Sequence, residues 1–239
     1  MAIDTVFLDA VGVLCHPSWT RVAGALIRHG ATVTPAALAA AEPRATHELD
    51  QAAVIGATDD RSRGWLYFNL VLRHAGVEQN AGTDAALAEL REYHQAENLW
   101  EQVEPDVVPA LAALRTRGLR LVVVSNANGR LKHLFDRLDL TRWFDHVLDS
   151  HEWGVEKPDP RLFQIALEQA RAGAERTIHV GDLYHVDVMG ARRAGLREAV
   201  LFDTAGLYDA VDCPRVDSFD AFVAWLDTTS GNQTRKRVP

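Results

Sequence analysis

Five short apolar runs, TVFLDAV, LRLVVVS, FDHVLDS, TIHVGD and EAVLFD, constrain this chain more than any other feature. Continuous apolar runs of this length fit strands buried on both faces, and such strands belong to a parallel sheet covered on both sides. Helical spacing fills the intervals between the later runs. Val108, Leu111 and Leu114 keep it before the second run, and Leu131, Leu134, Phe135 and Leu138 before the third. Leu162, Ile165, Ala166 and Gln169 keep it before the fourth. The alternation predicts an α/β fold, a doubly wound, Rossmann-like parallel sheet.

The interval between the first and second runs is far longer than a crossover needs. Residues 16–102 contain no convincing strand but several helical stretches, around Val22–Ile27, Pro35–Ala53, Trp65–His74 and Asp84–Gln95. They are expected to form an α-helical cap inserted into a core made of residues 1–15 and 103–228. The cap leaves the first strand at its carboxyl edge, where ligands bind in open α/β sheets. A lid is the functional reading, and a structural decoration is the plain one. The polar, basic tail 229–239 is expected to be frayed.

Several strands finish on polar residues. The first ends at Asp9, the second at Ser125-Asn126 and the fourth at Gly181-Asp182. Lys157 stands in EKPDPRLF, just before a helix predicted to start near Pro160. In a parallel sheet these ends gather on one edge. Each residue alone reads as a cap or turn. Their joint occurrence reads as a site.

On these segments the chain resembles the haloacid dehalogenase superfamily, in the group with a helical cap after the first strand. FLDAVGVL resembles its first motif, VVVSNANG the second, GVEKPDPRLF the third and HVGDLYHVDVMGARRAG the fourth. The resemblance implies strand order 3-2-1-4-5 and a hydrolase in which Asp9 is the nucleophile. Ser125, Asn126 and Lys157 would bind the transferred group, with Ser125 and Lys157 serving catalysis. Asp182 and Asp187 would form the acidic pair near a cation.

The residue types suit that chemistry. A carboxylate can attack phosphorus and form a covalent aspartyl-phosphate that water then hydrolyses. Asp9, Asp182 and Asp187 together would raise one another's pKa. A hard cation removes that conflict, and Mg²⁺ suits a site shared with phosphate. The backbone carbonyl of Val11 is a further candidate ligand. Lys157 and the hydroxyl and backbone N–H groups near Ser125 suit phosphate oxygens.

Two valines depart from the pattern. Phosphatases of the superfamily usually carry an aspartate two residues after the nucleophile, as proton donor to the leaving group. Here that position is Val11, and the usual threonine two residues on is Val13. The main expectation is a Mg²⁺-dependent phosphatase acting on a small phosphorylated metabolite, with the general acid/base missing. One alternative is a weak or inactive member that binds a phosphorylated ligand. Another is a 2-haloacid dehalogenase, against which the acid at Asp182 counts. Phosphonate cleavage by the similar enzymes needs a cap lysine, and the lysines are Lys132, Lys157 and Lys236. His16 is the nearest substitute proton carrier, although a half-exposed loop histidine is the simpler reading.

A net charge of −8 points away from nucleic acid and acidic membranes. Cys15 and Cys213 build no disulfide framework, which suits a reducing cytoplasm. No run reaches the ~18 apolar residues of a membrane helix. A monomer or homodimer is expected. Trp65, Tyr67 and Phe68 are read as cap packing, Arg61 and Arg63 as solvated surface, and His179 as a core or edge histidine. His185, in the fourth-motif loop, is read as facing solvent.

Overall fold

The computed structural model describes residues 2–234. The chain divides into two compact units, one made of residues 1–14 and 103–239 and the other of residues 15–102.

The first unit is built on a six-stranded sheet: β1 (Thr5–Leu8), β2 (Arg120–Ser125), β3 (His146–Asp149), β4 (Thr177–Gly181), β5 (Glu198–Phe202) and β6 (Arg215–Val216). Its order is β3-β2-β1-β4-β5-β6, with every printed pairing parallel. This is the doubly wound order expected, extended by one strand. Two residues are too few for β6 to show a pattern in the sequence. All four residues of β1 are fully buried, as strands covered on both faces require.

The second unit holds five helices: α1 (Trp19–Arg28), α2 (Pro35–Leu49), α3 (Ala52–Ala57), α4 (Asp60–His74) and α5 (Ala81–Ala96). The stretch expected as one helix over Pro35–Ala53 is broken at Asp50 and Gln51, and α3 begins after it. Capping boxes start α4 at Asp59 with Ser62 and α5 at Asn80 with Thr83. The unit has its own core, including Trp19, Leu26, Leu38, Phe68, Val71 and Leu90.

The first unit continues with α6 (Val107–Thr116), α7 (Leu131–Arg137), α8 (Ser150–Trp153), α9 (Pro160–Ala170), α10 (Met189–Arg193) and α11 (Phe219–Thr234). Val107 lies inside with Ala110, Leu111 and Leu114, whereas Val108 is 36% exposed. The buried series is thus i, i+3, i+4, i+7 counted from Val107, one residue earlier than the spacing of Val108 suggested. Likewise Phe163 and Ala170 face inward on α9, and Gln169 is exposed. The helix α11 runs through the first part of the expected tail, and residues 235–239 lie outside the described residues.

Register sets the site. Leu8 pairs with Val123 on one side and Val180 on the other, and the Asp9 N–H donates to the Val180 carbonyl at 2.9 Å. The carboxyl ends of β1, β2 and β4 therefore lie level. The chain winds outward from β1 to β2 and β3, then returns to place β4 on the other side of β1. The crevice between β1 and β4 is the switch point where ligands bind in such sheets.

Candidate active site

Asp9 follows β1 directly and is only 7% exposed. Its Oδ1 accepts from the Ala10 N–H at 2.7 Å, its Oδ2 lies 3.0 Å from the Lys157 ammonium, and Ser125, at the end of β2, favours its charged form. Burial pushes the Asp9 carboxyl above its ordinary range, against the opposing pull of Lys157.

Lys157 is completely buried, and its Nζ also donates to Asp187 Oδ1 at 2.6 Å. Burial works against the ammonium, but the charges of Asp187 and Asp9 outweigh it and hold its pKa above the usual lysine value. The backbone of Lys157 is clamped at two points. Its N–H donates to Asn126 Oδ1 at 2.7 Å, and Asn126 Nδ2 donates to its carbonyl at 3.0 Å. Asn126, expected as a binding group, thus uses both ends of its amide to place the lysine.

Asp187 sits in a π-helical turn, Tyr184–Val188, that leads into α10. Burial would raise its pKa, but the Lys157 charge and the His179 hydrogen bond prevail and hold it well below the carboxylate range. Its Oδ2 accepts from the Leu183 N–H at 3.1 Å. Asp182 is half-buried, and its carboxyl is pushed well above the ordinary range by burial, then by the charges of Asp187 and Asp9. One oxygen each from Asp9, Asp182 and Asp187 lies within 4.8 Å of the others.

Two glycines make this crowding possible. Gly12 has φ +77°, and a Cβ there would lie 2.1 Å from Asp182 Oδ2. A Cβ on Gly181 would lie 2.1 Å from Asp187 Cγ. The acidic side chains occupy the space that side chains at those positions would need. Val11, between Asp9 and Gly12, is half-buried, and Val13 is buried.

Sequence reasoning missed two contributors. Asp149 ends β3, is 2% exposed, and its Oδ2 accepts from the N–H groups of Gly129 and Leu131 at 2.8 and 3.2 Å. It braces the loop that follows Ser125. The signal was present, since FDHVLDS also finishes on a carboxylate. His179, on β4, is fully buried with Nε2 2.9 Å from Asp187 Oδ1. A histidine inside an apolar strand was its signal.

In the other unit, His16 Nδ1 lies 3.1 Å from Glu42 Oε1. Glu42 also accepts from Tyr67 at 2.8 Å and Trp19 at 3.0 Å. Tyr67 and Phe68 are buried in that unit's core, and Trp65 packs against it. Arg61 is exposed, but Arg63 is 4% exposed. The expectation of a solvated Arg63 is corrected: it is buried, and its guanidinium turns back to donate to the Thr58 carbonyl at 2.8 Å. His185 is half-buried, with its ring 5.2 Å from that of Tyr184.

Fold and site together define a doubly wound α/β protein with an acidic centre at the carboxyl edge of its sheet. Residues 3–195 match the family described as haloacid dehalogenase-like hydrolase, and the chain belongs to that family. It is 34% identical over 192 residues to haloacid dehalogenase-like hydrolase domain-containing protein 3 of Homo sapiens, covering 79% of this chain and 76% of that one. It is also 34% identical over 131 residues to the glyceraldehyde 3-phosphate phosphatase of Methanopyrus kandleri, covering 54% of this chain and 55% of the relative. The fold superposes on YfnB from Bacillus subtilis, solved bound to magnesium, with a TM-score of 0.69 over 95% of this chain and 100% of that one, at 16% identity. Among the described residues no helix is long and apolar enough to cross a membrane.

Proposed function

We propose that this hydrolase is a Mg²⁺-dependent phosphatase acting on a small phosphorylated metabolite in the cytoplasm, with Asp9 as nucleophile. The observation that carries the reading is the grouping of Asp9, Lys157, Asp182 and Asp187 at the switch point, three carboxylates against one ammonium. That surplus of negative charge, and the raised pKa of Asp182, fit a site made for a hard divalent cation. Asp9, Asp182, Asp187 and the backbone carbonyl of Val11 are the residues that would hold Mg²⁺. When bound, the ion would offset the carboxylate charge and that of the phosphoryl group in transfer. The phosphatase relative supports the substrate class.

In this reading an Asp9 oxygen attacks phosphorus, and the bond from phosphorus to the leaving oxygen breaks, its electrons departing with that oxygen. Lys157 and the Ser125 hydroxyl hold the transferred group. Water then attacks the phosphorus of the aspartyl-phosphate, releasing phosphate and restoring the Asp9 carboxylate. Val11 transfers no proton. Loss of a general acid costs roughly 10²–10⁴ in rate, mostly with alkoxide leaving groups. Acyl and aryl phosphates, whose leaving groups depart unprotonated, are therefore the favoured substrates.

The test is hydrolysis of acetyl phosphate and p-nitrophenyl phosphate with Mg²⁺ by the wild type and Asp9→Asn. The variant is expected to be inactive, and equal rates would remove Asp9 from the chemistry. The second reading, a phospho-ligand-binding member without turnover, draws on Val11 alone. It would gain if Mg²⁺ and vanadate raise Tm while no phosphate ester is hydrolysed.

A further inference from the structure

His179 is placed where an apolar residue would serve packing better. It lies on β4 between Ile178 and Val180, opposite Phe7 on β1 and Ala199 on β5, and is fully buried. Its ring meets Phe163 edge-on, with centroids 4.9 Å apart. Among the described residues its Nδ1, which is buried, has no hydrogen-bond partner. Burying a polar nitrogen unpaired costs stability, so packing alone disfavours a histidine here. What the imidazole adds is the contact of Nε2 with Asp187 Oδ1 at 2.9 Å.

The contact fixes a proton on Nε2. An ionised carboxylate only accepts hydrogen bonds, so Nε2 must be the donor. The opposite tautomer would set two lone pairs against each other and bury an Nδ1–H with no acceptor. Asp187 Oδ1 therefore receives two donors, His179 Nε2–H and Lys157 Nζ at 2.6 Å, and the same Nζ reaches Asp9 Oδ2 at 3.0 Å. The four side chains form one buried chain: His179, Asp187, Lys157, Asp9.

We propose that His179 is a positioning residue for the hydrolytic reaction. It holds Asp187 Oδ1 through Nε2, so that Asp187 keeps Lys157 against Asp9. This role rests on the assignment of Asp9 as nucleophile.

The test compares His179→Gln, which keeps a donor near the position of Nε2, with His179→Met, which fills similar space without one. Loss of outer partners that orient a site typically costs roughly 10–100-fold. His179→Met is expected to lose that factor in kcat on acetyl phosphate, with KM changed less than about threefold, and His179→Gln is expected to recover most of the loss. Both should lower Tm to a similar extent. Equal kcat in the two variants, or a change confined to KM, would overturn the role and reduce His179 to packing. A second readout needs neither metal nor turnover. The ¹⁵N spectrum of the metal-free protein, with His179 assigned by its absence in His179→Gln, is expected to show a proton on Nε2, and a bare Nε2 would overturn the proposal. If Asp9→Asn retains full activity, the nucleophile assignment fails first, and the spectrum still reports on the hydrogen bond.

Discussion

Lys157→Met isolates what the ammonium does for the fold. Methionine nearly matches the lysine stem in length, so the change removes a charge while leaving little cavity. Lys157 is completely buried and pairs with Asp9 at 3.0 Å and Asp187 at 2.6 Å. Removing one partner of a buried ion pair typically costs about 3–5 kcal/mol. For a chain of this size each kcal/mol lowers Tm by about 2–4 °C, so a fall of about 6–20 °C is expected near neutral pH. The three carboxylates left behind can limit the loss by taking up a proton. Their folded pKa values then stand above the unfolded ones, so the stability that protonation supplies is present at low pH and disappears as pH rises. The deficit of the variant should therefore widen as pH rises above the ordinary carboxylate range. Mg²⁺ should raise the Tm of the variant more than that of the wild type, since it supplies the missing positive charge. The assay is thermal unfolding across pH, with EDTA or Mg²⁺. A fall below about 3 °C at neutral pH, or a deficit that narrows as pH rises, would refute the view that Lys157 compensates this acidic centre.

Val11→Asp restores a proton carrier two residues from Asp9 and should raise kcat on sugar phosphates by roughly 10²-fold while changing acetyl phosphate little, as a substrate panel would show. Gly12→Ala sets a Cβ 2.1 Å from the Asp182 carboxylate at a residue with φ +77°, so it should lower Tm and weaken Mg²⁺ binding, measured as the Mg²⁺-induced Tm shift. The raised pKa of Asp182 sets the pH response of the metal-free protein. Stability from its protonated form is complete below the ordinary value of 3.8 and is lost as pH climbs through the raised folded value, so Tm in EDTA should fall over that climb. Asp182→Asn should flatten that slope in the same melts.

The fold was legible because two-sided burial leaves a mark that needs no partner to be seen. A strand such as Thr5–Leu8, buried on both faces, reads as a mostly apolar run, and five of the six described strands carry that mark. β6 does not, because two residues form no pattern. Helix faces were read to within a residue: Leu111 and Leu114 alone are compatible with either Val107 or Val108 facing inward, and only the packed neighbours choose. Asp9, Ser125 and Asp182 could be singled out because each stands at a strand end, and the parallel sheet gathers those ends, whereas Lys157 was singled out in EKPDPRLF, just before the helix that starts at Pro160.

By itself, then, the sequence determined the architecture, the edge of the sheet at which the polar strand ends gather, and the absence of a proton carrier at Val11, all properties of residue type and order. Tertiary structure alone decided how the groups act on one another. It turned Asn126 into a clamp on the Lys157 backbone, set Asp149 under the loop after β2, and joined His179 to Asp187. It also drove Asp182 and Asp187, five residues apart, to opposite sides of the ordinary carboxylate pKa. The physical reason is that hydrogen bonds and charge interactions depend on distances of a few ångströms and on exclusion of water. Residue order fixes neither until strands remote in sequence are laid side by side.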